Sequence, residues 1–203
     1  MLLLLVGLLA VLAIFYAPAA YYLFRYQPQQ GDFIFQSLPR TELVRAIEGI
    51  SRSRYSHVGM LVRKENAWYV REASAQVADT PLFLWAARGR GGSFDVFRLN
   101  ESLQSTIPAF IQASEKYLGR PYDYRYRIDD GYIYCSELLY KAYFDATGVR
   151  LGRLKKLGEL DWRPYQATIT QYEGGPVPLE REMITPVDLS RAAQLHLVFS
   201  SGG

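Results

Sequence analysis

From Leu2 to Phe24 the chain runs 23 residues without a charged side chain, and Arg25 ends the stretch. As a helix, a run of that length covers the roughly 30 Å hydrocarbon core of a bilayer. It also reads as an export signal, because Ala17-Pro18-Ala19 offers the small residues a signal peptidase requires. Two features favour retention over cleavage. No Lys or Arg precedes the run, and it continues past Ala19 through Tyr21, Tyr22, Leu23 and Phe24. Tyr21, Tyr22 and Tyr26 suit the aromatic belt of a spanning helix. Residues 1–26 are therefore expected to form a membrane-spanning or signal segment, and 27–203 a single domain of about 175 residues, enough to bury its own core. Export would put that domain in the cell envelope, outside the cytoplasm. Arg25, Arg40 and Arg45 all follow the run, which by the positive-inside bias points to the cytoplasm, so the sequence leaves the side open.

Charge and cysteine count exclude several classes. Lys and Arg number 23 against 20 Asp and Glu, and the two signs interleave, so no basic block offers a footprint for nucleic acid. Cys135 is the only cysteine, which rules out an internal disulfide and a zinc site built from several thiolates. The chain has no Gly-rich phosphate loop and no histidines at metal-ligand spacing, and no metal or organic cofactor is implied.

After the polar linker Gln27-Pro28-Gln29-Gln30-Gly31, Asp32 to Phe35 reads as a short strand. Thr41 is placed to cap a helix reaching about Ile50, with Leu43, Ile47 and Ile50 on one face. His57–Arg63 and Ala67–Glu72 read as a hairpin turning at Lys64-Glu65-Asn66, and Phe94–Leu99 as a further strand. Apolar periodicity predicts one helix over 105–118, with Pro108 in its first turn, and another over 136–147 closed by Gly148. Residues 150–163 read as a basic surface loop. Thr185-Pro186-Val187-Asp188 starts a short capped helix, and a last strand passes through Leu195, Leu197 and Phe199. The pattern is α+β, an antiparallel sheet packed on two main helices.

Position gives Cys135 its interest. It opens the helix that follows an aromatic loop, and a thiol there feels the positive end of the helix dipole and free backbone N–H groups. Both favour thiolate, and the same N–H groups suit an oxyanion. A thiolate nucleophile needs a base, and the chain holds two histidines. His196 lies between Leu195 and Leu197 in the last strand and is expected to point outward. His57 opens a strand, where sites are built on rigid elements. With Lys64-Glu65 as a two-residue loop, His57 faces Glu72 directly, within reach to fix its tautomer and stabilise its charged form.

Taken in order, Gly31-Asp32-Phe33-Ile34-Phe35, Tyr55-Ser56-His57-Val58-Gly59, Val70-Arg71-Glu72-Ala73, Tyr117-Leu118-Gly119-Arg120-Pro121-Tyr122-Asp123 and Tyr134-Cys135-Ser136-Glu137-Leu138 resemble the circularly permuted NlpC-type papain-like hydrolases of the YaeF/YiiX group. The likeness covers most of Gly31 to Phe199. It implies a permuted papain-like fold with Cys135 as nucleophile, His57 as base and Glu72 as the residue orienting it. The reaction it implies is amide cleavage through a thioester, on cell-wall peptides or other small amide substrates. The permuted fold also resembles the lecithin:retinol acyltransferase-like enzymes, which makes a lipid acyltransferase or phospholipase the alternative. An inactive binding module is a third reading. Tyr122, Tyr124 and Tyr134 precede the nucleophile and are candidates to shape the substrate pocket or lend a phenol to the oxyanion hole, while Asp32 is expected to organise a turn beside the site.

Overall fold

The computed structural model describes residues 16–129 and 131–202. Most of the apolar run, through Phe15, lies outside the described residues. Its last part does not: residues 16–25 form helix α1. Among the described residues no helix is long and apolar enough to cross a membrane.

A six-stranded antiparallel sheet organises the domain. Its strands are β1 (Phe33–Gln36), β2 (His57–Lys64), β3 (Ala67–Ala73), β4 (Val77–Pro81), β5 (Phe94–Leu99) and β8 (Leu195–Ser200), in the order β4-β3-β2-β1-β5-β8. Side chains alternate across such a sheet, so each strand feeds two cores. Phe33, Phe35, Val58, Met60 and Val62 point to one face, under α4 (Ile107–Glu115) and α5 (Cys135–Thr147). Ile34, Leu61, Val70 and Val96 point to the other, where α1 and α3 (Leu82–Arg88) cover them.

The two expected helices thus pack on the first face, and a second layer, absent from the sequence reading, covers the other. Ala19 and Tyr26 are buried beside Trp85 and Phe94, so α1 packs on the folded domain.

Helix α5 fixes the site. Cys135, Leu138, Leu139, Ala142 and Tyr143 recur at helical spacing and are all buried in the core between helix and sheet. Gly148 ends the helix at φ 71°, the left-handed conformation that glycine adopts without cost. Leu139 is fully buried, and truncating it to Ala would cost about 2–5 kcal/mol. Residues 150–163 are less of a loop than expected. They bury Leu151 and Leu157 and include β6 (Lys155–Lys156), which pairs with β7 (Glu182–Met183). The remaining helices are α2 (Glu42–Ile50), α6 (Gln166–Glu173) and α7 (Pro186–Ser190), the first and last capped by Thr41 and Thr185 as expected.

Candidate active site

Cys135 is the first residue of α5, and His57 the first residue of β2. Both sit at one end of the sheet, and both are buried, at 2% and 3% exposure. The thiol and the imidazole lie close enough for each to shift the titration of the other. The backbone N–H groups of Val58 and Ser136 act on the sulfur in the same direction as His57. Burial pushes the Cys135 thiol up, but His57 and these amides outweigh it and hold it below its ordinary value. Burial likewise pushes His57 down, while bonds to Cys135 and Glu72, with their charges, bring it to about 9. Both shifts run in the direction that favours the thiolate–imidazolium pair over the neutral pair.

The second ring nitrogen is equally defined. His57 Nε2 lies 2.5 Å from Glu72 Oε2, and Glu72 is 1% exposed. The carboxylate is itself held: Trp85 Nε1 donates to it at 3.1 Å, Thr80 Oγ1 at 2.6 Å, and Arg88 closes an ion pair. Burial raises the Glu72 pKa, but His57 and Arg88 lower it further, to about 2.

Glu72 does not face His57 directly. The turn residues are Glu65 and Asn66, and the register pairs Lys64 with Ala67 and Met60 with Arg71. Continued by one residue, it sets Glu72 across from Gly59. Shifting the turn by one position moves the register by two, which preserves the face. Glu72 therefore stays on the His57 side of the hairpin and reaches it diagonally, a separation of about 7–8 Å between backbones that long side chains span.

Cys135 lines a cleft beside the start of α5. Its walls are Leu43, Ala46 and Ile47 of α2, Ile169 and Tyr172 of α6, and Tyr124, Tyr126, Met183 and Ile184. The aromatic loop before α5 supplies the lip. Asp123 accepts the backbone N–H groups of Arg125 and Arg127, folding the loop back, and Tyr126 sits at a left-handed φ of 54°. The Tyr122 hydroxyl hydrogen-bonds the Tyr126 hydroxyl and lies near the Cys135 sulfur, and Tyr124 stacks on Tyr172 at the mouth.

The structure thus brings Tyr122 and Tyr124 to the site. Asp32 is elsewhere. Tyr134 is fully buried at the N-cap of α5, directly behind the cleft wall: its ring lies 5.0 Å from that of Tyr126 and its hydroxyl accepts the Ile184 N–H at 3.0 Å. Asp32 precedes Phe33, which pairs with Met60, whereas His57 pairs with Gln36 at the opposite end of β1. Its carboxylate is spent on Arg98, Tyr26 and the Gln29 N–H, a turn far from the sulfur. His196 is exposed and meets Asn100 at 3.2 Å. Sequence reasoning missed Tyr126, whose place beside Tyr122 follows from the fold of the loop, and the walls from α2 and α6. The apolar stripe of α2 was visible, but not what it lined.

A family model described as permuted papain-like amidase enzyme, YaeF/YiiX, C92 family matches residues 27–199. The chain belongs to this family. It is 38% identical over 178 residues to the uncharacterised protein YiiX of Escherichia coli strain K12, covering 86% of this chain and 88% of that protein. A crystal structure of YiiX from Escherichia coli O157:H7, described as a metalloprotein, superposes with a TM-score of 0.81 at 38% identity, covering 86% of this chain and 98% of the other. Membership establishes a permuted papain-like fold and, at the level of chemistry, an amide hydrolase. A metal fits this site poorly. Glu72 is committed to His57, Arg88, Trp85 and Thr80, which leaves one sulfur and one imidazole where a zinc site takes three or four protein ligands. Among the described residues no group of three or more His, Cys, Asp or Glu side chains is placed to hold a metal ion.

Proposed function

We propose that the chain cleaves amide bonds by covalent catalysis at Cys135, with His57 as acid and base and Glu72 as the residue that orients it. The observation that supports this reading is the buried succession of sulfur, imidazole and carboxylate, the last two hydrogen-bonded, with Cys135 lining a cleft. The thiolate adds to the carbonyl carbon, and the carbonyl oxygen takes the negative charge. Amides at the start of α5 and the Tyr122 hydroxyl are the donors in reach of that charge. Collapse breaks the C–N bond as His57 gives its proton to the departing amine, leaving a thioester. His57 then takes a proton from water, which attacks the thioester and releases a carboxylic acid, restoring the thiolate and imidazolium.

The apolar walls favour a substrate whose acyl portion is apolar, such as an acylated peptide or a small amide with a hydrophobic acyl side. They also favour the second reading, acyl transfer from a lipid, in which an acceptor other than water takes the acyl group from the same thioester. Product analysis separates the two. Release of free amine and acid from N-acyl peptides supports the amidase. A stable acyl mass on Cys135 after incubation with phospholipid, discharged by an added amine or alcohol, supports transfer. Neither product with any member of either substrate set, with Cys135 unmodified, would overturn both.

A further inference from the structure

Helix α1 is apolar on every side. Ala19, Tyr22, Leu23 and the Tyr26 that follows it recur at i, i+3, i+4 and i+7, and this stripe packs into the second core. The opposite stripe includes Tyr21 and Phe24 and faces outward, at 57% and 90% exposure, and Tyr16 at the helix start flanks it, also exposed. Helix α3 extends the same surface. Tyr16 stacks on Phe83 with ring centroids 5.9 Å apart. Phe83 and Leu84 are exposed while Leu82, Trp85 and Ala86 enter the core.

A helix apolar all round is ordinarily covered on both sides. The sheet covers one side of α1, and the sequence indicates what covers the other. Immediately before Tyr16 lies Leu2–Phe15, a run of 14 residues with no charged side chain. A run that apolar is favoured at a bilayer, while α1, which follows it directly, is committed to the domain by its buried stripe. The junction between them therefore belongs at the boundary of the bilayer. Arg25 closes the outer stripe at its far end, within 5.7 Å of the Tyr21 ring, the pairing of guanidinium and phenol that suits the headgroup level.

We propose that Tyr16, Tyr21, Phe24, Phe83 and Leu84 form a lipid-contact surface that rests the domain on the bilayer, with α1 docked to the domain and not serving as a flexible tether. The proposal does not depend on the chemistry at Cys135.

The test uses the full chain with Cys135→Ala, reconstituted in vesicles of phosphatidylethanolamine and phosphatidylglycerol. Single cysteines replace Phe24, Phe83, Leu84 and, as a reference, the exposed Val149 beyond the end of α5. Each is labelled with an environment-sensitive fluorophore and challenged with nitroxide-bearing lipid. All four positions are exposed, and an unchanged thermal melt checks that each labelled chain is folded. Quenching at Phe24→Cys, Phe83→Cys and Leu84→Cys several-fold above that at Val149→Cys is the expected result. Equal quenching at positions 83, 84 and 149 would overturn the proposal. So would shielding of positions 83 and 84 accompanied by dipolar coupling between spin labels on two copies, which would make the surface a contact between copies of this chain.

Discussion

Glu72 reaches His57 over the backbone of Gly59, and the hairpin depends on that residue having no side chain. A Cβ at Gly59 would collide with the Val70 side chain, come within 2.9 Å of the Arg71 carbonyl oxygen and lie 3.3 Å from the Glu72 Cβ. The carboxylate's route to the imidazole and the packing of β2 on β3 share the same space.

Gly59→Ala is accordingly expected to destabilise the domain by about 1–3 kcal/mol and to lower kcat by displacing Glu72. Urea unfolding and steady-state kinetics measure the two effects. A variant of unchanged stability and activity would show that the carboxylate has room to spare.

The pH dependence follows from the same carboxylate. Glu72 titrates at about 2 in the fold against 4.5 for an ordinary glutamate. Between those values the unfolded chain binds more protons, so the stability Glu72 contributes is complete above 4.5 and is lost as pH falls toward 2. Glu72→Gln should flatten the acid limb of stability in that window. It should also move the alkaline limb of activity, set by His57 at about 9, downward by about one unit or more, because burial then acts on the imidazole with one anion fewer. Chemical denaturation and a pH–rate profile measure these effects.

The Tyr122 hydroxyl lies near the nucleophile, and Tyr122→Phe removes it while keeping the ring. Loss of an oxyanion donor costs about 10²–10³ in kcat, so a fall of that order with little change in KM is expected. A change in KM alone would make Tyr122 a wall of the pocket only.

Much of this arrangement was written in local patterns. The apolar periodicity from Leu138 to Tyr143, with Gly148 closing it, gives α5 and puts Cys135 at its mouth; Thr41 and Thr185 mark their helices by capping chemistry. The parity of a hairpin told which face Glu72 shares with His57, and that survived a misplaced turn, since Glu65 takes a left-handed φ of 52° that its residue type does not advertise. Short elements left no such trace. Helix α3 has seven residues and α6 eight, under the length at which a stripe stands out, and α6 buries none of its residues fully. With α3 unseen, the sequence could not show that Trp85 and Arg88 hold Glu72. Asp32 was misassigned because a buried carboxylate paired to Arg98, 66 residues away, looks locally the same as one beside a site.

The protonation state of Cys135 is the point on which the chemistry turns. The rate of its alkylation by iodoacetamide, followed by intact mass across pH 4 to 10, reads the thiolate directly. Alkylation that is already substantial well below the ordinary thiol range, and that shifts toward that range in His57→Ala, is the expected outcome. A titration near 9 in the unmodified chain, unmoved by His57→Ala, would contradict the ion pair and the nucleophile with it.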